Sequence, residues 1–179
     1  MRAVARYAAL LRAVNVGGRK LPMADLRTAL GEAGFEDVAT YVQSGNVVLR
    51  SEAGAAAVEG RMERLIADSF GLETRVLVRT HDELEAVAAA NPYPEVTEGR
   101  RLHVVFLDGA PDAAAVDRID PERSPGDRYA VVGRELYLHL PDGAGRTKLT
   151  LDYLERRLGV AGTARNWNTV LKLVELTGG

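Results

Sequence analysis

The order of secondary-structure elements predicted from apolar periodicity occurs twice in this chain of 179 residues, and this repetition limits the choice of fold more than any motif. Each half predicts a strand, a helix, a two-stranded hairpin, a helix, a strand and a further helix. In the first half they are predicted over residues 6–14, 22–33, 38–42, 47–49, 58–69, 74–78 and 81–90. In the second half they are predicted over residues 102–107, 111–119, 129–132, 136–140, 151–158, 160–165 and 167–174. No identity between individual residues accompanies the repeat, which is therefore architectural.

The β-α-β-β-α-β order is typical of the ferredoxin-like fold. The chain is therefore predicted to be an α+β protein in which two ferredoxin-like halves, each with an additional helix, pack together. The predicted subdomains cover residues 1–91 and 101–179. They are joined by a linker over residues 92–100, which is rich in Pro, Gly and Glu.

The first predicted strand is apolar on both faces, a pattern typical of a central strand. Its alternate residues Tyr7, Ala9, Leu11 and Ala13 are expected to fill the sheet face that the helices leave open. Because that face would be apolar, we expect the open faces of the two halves to be buried.

Helix ends are marked by residues with known positional preferences. Pro22 suits the first turn of a helix, and Gly34 suits its end. Thr80 followed by Glu83 is a capping box, and it predicts the start of a helix that Asn91-Pro92 ends. These signals support the helix assignments independently of periodicity.

The composition excludes several classes of function. The chain has no cysteine, which removes disulfides, thiol nucleophiles and thiolate metal sites, and its three histidines have no zinc-binding spacing. A net charge of −2 provides no overall basic field for nucleic acid. No apolar stretch approaches the ~20 residues of a membrane span, and the first residues show no signal-peptide pattern. We therefore expect a cytoplasmic protein that uses no membrane, metal or cofactor.

The first predicted strand ends in Asn15-Val16-Gly17-Gly18-Arg19-Lys20, directly before a helix. Glycine N–H groups, two cations and a helix N-terminus together favour anion binding. In a β-α-β-β-α-β unit, this loop and the hairpin turn share one end of the sheet. The predicted ligand-binding residues at this end are Asn15, Gly17, Gly18, Arg19, Lys20, Gln43, Ser44 and Asn46. The alternative is a tight turn that needs glycine for positive φ, beside a hairpin turn of ordinary composition.

In the second half, the loop at residues 142–148 and the segment at residues 165–168 are predicted to share the opposite end of the sheet. They offer a stacking ring, amides and cations for a base, a sugar or an anion. The predicted ligand-binding residues here are Lys148, Arg165, Asn166, Trp167 and Asn168. The alternative is a helix N-terminus that is capped by asparagine, with Trp167 packed in the core.

Arg12 interrupts the apolar run of the first strand and is also a predicted ligand-binding residue. A charge in a buried strand needs a paired acid or a bound anion, and an internal ion pair is the simpler explanation. The histidines, His81, His103 and His139, lie at positions typical of structural residues. No set of nucleophile, base and acid can be assembled, so no catalytic residue is assigned.

Several stretches resemble the family known as domain of unknown function 1697. They are the run from Tyr7 to Lys20, then Pro22, Met23 and Leu26, the run from Tyr41 to Val48, and the run from Arg165 to Val170. The resemblance extends from about Tyr7 to Leu176, and Gln-Ser-Gly-Asn and Arg-Asn-Trp-Asn are its most specific strings. Ala13 and Thr147 stand where the family usually has glycine and serine. The resemblance implies a bacterial α+β protein of two ferredoxin-like subdomains, without an established activity.

These observations predict a protein that binds a small anionic ligand, a phosphorylated metabolite or a nucleotide, through the two loop clusters. RNA is a weaker partner because the chain is slightly acidic and carries no aromatic RNA-recognition string. One alternative is an enzyme on a small anionic substrate, with Asn15, Ser44 and Asn46 positioning it and Arg12 or Lys20 stabilising charge. Another is a nucleic-acid or protein-interaction module. The sequence indicates no particular oligomeric state.

Overall fold

The structure is a computed structural model, and it describes residues 2–12 and 20–179. It contains two four-stranded antiparallel sheets with helices, so the predicted α+β class with two similar ferredoxin-like halves is confirmed. The chain divides into two compact units, the first formed by Met1–Glu85 with Leu173–Gly179 and the second by Ala86–Lys172. No helix within the described ranges is long and apolar enough to cross a membrane.

The first unit has the predicted order of elements. They are β1 (Ala5–Leu11), α1 (Met23–Glu32), β2 (Glu36–Tyr41), β3 (Asn46–Ser51), α2 (Ala55–Phe70), β4 (Val76–Thr80) and the start of α3 (His81–Ala89). The strands pair antiparallel in the order β2-β3-β1-β4, which places β1 inside the sheet. The predicted central position of the first strand is therefore confirmed.

The core of the first unit lies between its sheet and helices α1 and α2. Tyr7, Ala9 and Leu11 belong to this core, so the prediction that they fill the open face of the sheet is wrong. The intervening Ala8 and Leu10 are also fully buried. A strand that is buried on both faces has no hydrophobic alternation, and its sequence cannot reveal which face the helices cover. Residue 13, which shared this prediction, lies outside the described ranges.

The second unit repeats the order. Its elements are β5 (Leu102–Leu107), α4 (Ala113–Val116), β6 (Arg128–Val132), β7 (Glu135–His139), α5 (Leu151–Leu158), β8 (Gly162–Asn166) and the start of α6 (Trp167–Gly178). The strand order is β6-β7-β5-β8, again antiparallel. Helix α4 is shorter than predicted, because the chain continues to Ile119 in tighter turns whose N–H groups bond three residues back. These turns still deliver the buried Ile119 to the core.

The last strand of each unit ends in a helix cap. Thr80 Oγ1 accepts a hydrogen bond from Glu83 N at 3.1 Å, and Thr80 N donates to Glu83 Oε2 at 2.9 Å. This is the predicted capping box, and it is confirmed. In the second unit, Asn166 Oδ1 accepts from Thr169 N at 3.0 Å at the start of α6.

A buried arginine precedes each of these caps. Arg79 pairs with Ala8 of β1, and Arg165 pairs with Val104 of β5, at corresponding positions of the two sheets. In both cases Nη1 donates to the carbonyl of the preceding residue, at 3.2 Å from Arg79 and 2.8 Å from Arg165. The two units therefore correspond at the level of single residues. The sequence did not reveal this because the arginine is the only residue type that the two strand ends share.

Candidate functional site

The glycine loop of the first unit falls largely outside the described residues. Asn15, Gly17, Gly18 and Arg19 all lie there. Lys20, which follows them, is exposed. The structure therefore positions only the neighbours of this predicted site.

The hairpin turn between β2 and β3 is one of those neighbours. Its Gly45 carbonyl accepts a hydrogen bond from Leu11 N at 2.8 Å, so the turn lies beside the end of β1. Asn46 is fully buried, and its Nδ2 donates to Tyr41 O and to Ser44 Oγ, each at 3.0 Å. The amide of Asn46 therefore holds the turn in shape, whereas the side chains of Gln43 and Ser44 are exposed.

Arg12, at the end of β1, contacts the start of β4. Its backbone N donates to Arg75 O at 2.9 Å, and its carbonyl accepts from Thr74 Oγ1 at 2.6 Å, which ties the end of β1 to the start of β4. Its side chain lines an open pocket of about 320 Å³ together with Glu63 and Glu73. Arg75 also lines this pocket, so two acids balance two arginines. This balance favours the internal-charge explanation for Arg12 over a bound anion.

Most residues of the predicted segment 165–168 make hydrogen bonds and packing contacts within the protein. Arg165 is 7% exposed, and its Nη1 donates to Thr163 Oγ1 at 2.6 Å. Burial lowers the pKa of this guanidinium to about 10. Trp167 is half-buried, and its N donates to Gly99 O at 3.2 Å, while the Asn168 amide occupies the space beside Gly99. These contacts fit the structural interpretation of the segment, because they hold the linker against the start of α6.

The same contacts bring the linker to the end of the second sheet, where a cleft of about 450 Å³ opens. Arg101 O accepts from Leu140 N at 2.7 Å, so the residues before β5 lie beside the loop that follows β7. We call this cleft the arginine cleft. Its lining residues are Glu98, Arg100, Arg101, Pro141, Asp142, Gly143 and Arg146.

Charge in the arginine cleft is predominantly positive. Three arginines face two acids, and the Arg101 Nε lies 3.0 Å from Glu98 Oε2. Arg100 and Arg146 are both exposed, and neither guanidinium has an ion-pair partner among the described residues. Two exposed guanidinium groups can bind an anion with less desolvation than a buried ion pair requires.

The cation predicted from the loop at residues 142–148 is Lys148, and the arginine cleft is lined by a different cation of that loop. Lys148 is exposed and does not line the arginine cleft. Its backbone N donates to Ser124 Oγ at 3.1 Å, and its carbonyl accepts from Arg123 Nε at 3.0 Å, so it belongs to the other side of the loop. Arg146, two residues earlier, lines the cleft instead. The signal that could have found the cleft is the Arg100-Arg101 pair at the end of the linker.

A second polar group lies beside the arginine cleft. Arg128 Nη2 donates to Glu95 Oε1 at 2.6 Å and lies 3.0 Å from His139 Nδ1, while its guanidinium stacks 4.5 Å from the Tyr93 ring centre. Partial burial, and then the Arg128 charge, lower the pKa of His139. Because Nδ1 accepts from Arg128, the ring hydrogen is on Nε2. His139, Glu98 and Arg101 line a shallow pocket of about 230 Å³ beside the cleft.

These features define the class of protein as an α+β fold of two ferredoxin-like units. The sequence profile of the family described as protein of unknown function DUF1697 matches residues 4–137, and the chain belongs to this family. The structure is similar to that of the conserved bacterial protein SP0830 from Streptococcus pneumoniae, with a TM-score of 0.80. The alignment has 23% identity and covers 99% of this chain and 100% of that chain, a likeness that concerns the fold alone. No curated protein matches the sequence.

Proposed function

We propose that this protein binds a small anionic ligand, a phosphorylated metabolite or a nucleotide, in the arginine cleft. The observation that carries the proposal is that two exposed arginines, Arg100 and Arg146, line the same cleft of about 450 Å³. A phosphate group offers each guanidinium two acceptor oxygens, which is the geometry that arginine recognises best. The volume suits a single metabolite, since small-molecule sites are typically of about 300–1,000 Å³.

A metabolite is favoured over RNA. The cleft has one excess positive charge, and the whole chain has a net charge of −2. An RNA strand would need a longer track of cations with aromatic stacking platforms. We include in the proposal that the protein is bacterial and cytoplasmic, and that its two units arose by internal duplication. The corresponding buried arginines of β4 and β8 support the duplication.

Calorimetric titration with inorganic phosphate, pyrophosphate and adenosine monophosphate tests the proposal. Charge-assisted hydrogen bonds contribute about 1.5–3 kcal/mol, so Arg100→Ala and Arg146→Ala should each weaken binding by roughly 10- to 100-fold. Arg118→Ala is the matched control, because Arg118 is an exposed arginine of the same unit outside the cleft. Binding that is absent for all three anions, or equally affected by the control, would refute the proposal.

The salt dependence of binding distinguishes RNA from a small metabolite as the ligand. A short single-stranded RNA that occupied this surface would lose affinity steeply as salt is raised from 50 to 200 mM, because several phosphates release counterions. A single metabolite phosphate would show a much shallower dependence. An RNA that binds with a steep salt dependence while the three small anions fail would therefore assign the surface to nucleic acid.

An enzyme acting on a small anionic substrate is the second candidate, and His139 is the observation that favours it. Its Nδ1 is fixed by Arg128, and the ring stays neutral because partial burial and the Arg128 charge lower its pKa. A neutral imidazole held in one tautomer can donate the Nε2 hydrogen to a substrate that the neighbouring Arg101 binds. His139→Gln should then abolish turnover of the bound anion and leave its affinity within about twofold. Unchanged turnover in this variant would exclude the role of His139.

A further inference from the structure

A second cavity of about 250 Å³ lies inside the second unit, between the sheet and helix α5. Its wall is formed mainly by aliphatic side chains, among them Val105, Leu138, Leu140, Leu149 and Leu154. The loop after β7 separates it from the arginine cleft. Ala144 and Thr147 of that loop line the cavity, whereas Asp142, Gly143 and Arg146 line the cleft. The two spaces are therefore lined by different residues of the same loop.

The ring of His103 is the one imidazole among the residues that line the cavity. His103 lies on the same face of β5 as Val105, and both line the cavity. The Nδ1 atom of His103 is buried, and no described residue is within hydrogen-bonding distance of it. A buried nitrogen without a hydrogen-bond partner destabilises the folded state, and such atoms are rare in folded proteins. Burial also lowers the pKa of His103, so the ring is neutral at pH 7.

The loop that lines one part of the cavity is held by hydrogen bonds of its own residues and of Ser124 and Asp127. Asp127 Oδ2 accepts from Thr147 Oγ1 and from Ser124 Oγ, each at 2.6 Å, and Leu149 N donates to Thr147 Oγ1 at 3.0 Å. The cavity is therefore part of an ordered wall and not a gap beneath a loose segment. A preformed, largely apolar space with a few polar groups, here His103, Thr147 and Thr150, is the usual composition of a small-molecule site.

We propose that this cavity binds a small neutral molecule of monocyclic size that carries one hydroxyl group, with the hydroxyl hydrogen-bonded to Nδ1 of His103. The size follows from the volume, since an apolar cavity of roughly 150 Å³ accommodates benzene. The polarity follows from the wall, because a charged ligand would lose its hydration without a partner among the aliphatic side chains. The hydroxyl satisfies the buried His103 nitrogen, which has no hydrogen-bond partner among the described residues. This site is independent of the proposed anion site.

Phenol and toluene are matched probes for this site, because they have nearly the same shape and only phenol carries a hydroxyl. We expect both to shift the backbone amide resonances of Val105, Leu138 and Leu154 in ¹H–¹⁵N spectra of the full chain. Phenol should bind about fivefold more tightly than toluene, the factor that corresponds to one neutral hydrogen bond. His103→Leu should remove this difference and leave toluene binding in place.

A second variant keeps the test decisive if His103→Leu is unstable. Ala164 lines the cavity from an exposed position of β8, so Ala164→Leu fills the cavity without burying a new group in the core. It should abolish binding of both probes, whereas Ala110→Leu, at an exposed loop position, should leave both unchanged. Two results would overturn the proposal: no shift of the lining amides with either probe, or equal affinities of phenol and toluene for the wild-type protein.

Discussion

A methyl group added at Gly162 tests the packing of the second sheet at its tightest described backbone approach. Gly162 begins β8 and pairs with Leu107 of β5. A Cβ atom at this position would lie 2.8 Å from the backbone carbonyl oxygen of Phe106 and 3.0 Å from side-chain carbons of both Leu107 and Val105. All three neighbours are fully buried, so none can move into solvent to relieve the overlap.

The expected cost of Gly162→Ala combines two effects. Overpacking a dense core costs about 1–3 kcal/mol, because the neighbours must leave their preferred rotamers or the strand must shift. The loss of glycine flexibility in the unfolded chain offsets about 0.4–1 kcal/mol of this cost. The midpoints of these two ranges give a net loss of about 1.3 kcal/mol in the free energy of unfolding. For a chain of this length, each kcal/mol lowers the Tm by roughly 2–4 °C.

Urea unfolding followed by circular dichroism measures this cost. Gly109→Ala is the matched control, since a Cβ at Gly109 would meet no atom within 4 Å and its φ is not in the left-handed region. The control should be neutral or slightly stabilising, and Gly162→Ala should lower the urea midpoint without changing the slope of the transition. Equal midpoints for the two variants would refute the argument that the carbonyl of Phe106 excludes a side chain.

Two further predictions concern a cap and a buried ring. Thr80→Ala removes the hydroxyl that caps α3 through Glu83 N and should cost about 1 kcal/mol in urea unfolding, whereas Thr80→Ser should retain most of the stability. Burial lowers the pKa of His103, so below the ordinary histidine pKa of about 6.5 the unfolded state takes up a proton before the folded state does. The wild type should therefore lose stability as the pH falls from 7 to 5, and His103→Leu should lose less. An identical pH dependence in both proteins would contradict this account.

Most of the elements could be predicted because their signals are local. The strand Leu102–Leu107 has the bounds that its apolar run indicated, and the capping box of Thr80 and Glu83 forms as its spacing required. The face of β1 could not be predicted, because Ala8 and Leu10 are as fully buried as Ala9 and Leu11. Apolar and polar residues alternate along a strand only when one of its faces is buried. A strand that is buried on both faces lacks this alternation, so its sequence does not show which face the helices cover.

The candidate site was harder to predict than the fold, because the predicted polar residues serve the backbone around them. Asn46 uses its amide to hold a hairpin turn, and Asn166 uses its side chain to cap α6. Arg165 is buried against Thr163 and the carbonyl before it. Residue types that bind ligands are also the types that turns and caps need, so composition alone does not separate the two uses.

The sequence by itself determined the element order, the helix caps and the exclusion of thiol and thiolate metal chemistry, because these depend on neighbouring residues or on composition. Only the tertiary structure decided where the arginine cleft lies. Arg100 and Arg146 are far apart in the chain, and they line the same cleft because the backbone of Arg101 pairs with Leu140 at the end of the sheet. The cavity beside His103 likewise depends on how α5 and the loop after β7 cover the strands. Contacts of this kind depend on strand register and packing, and these cannot be read from the pattern of neighbouring residues in the sequence.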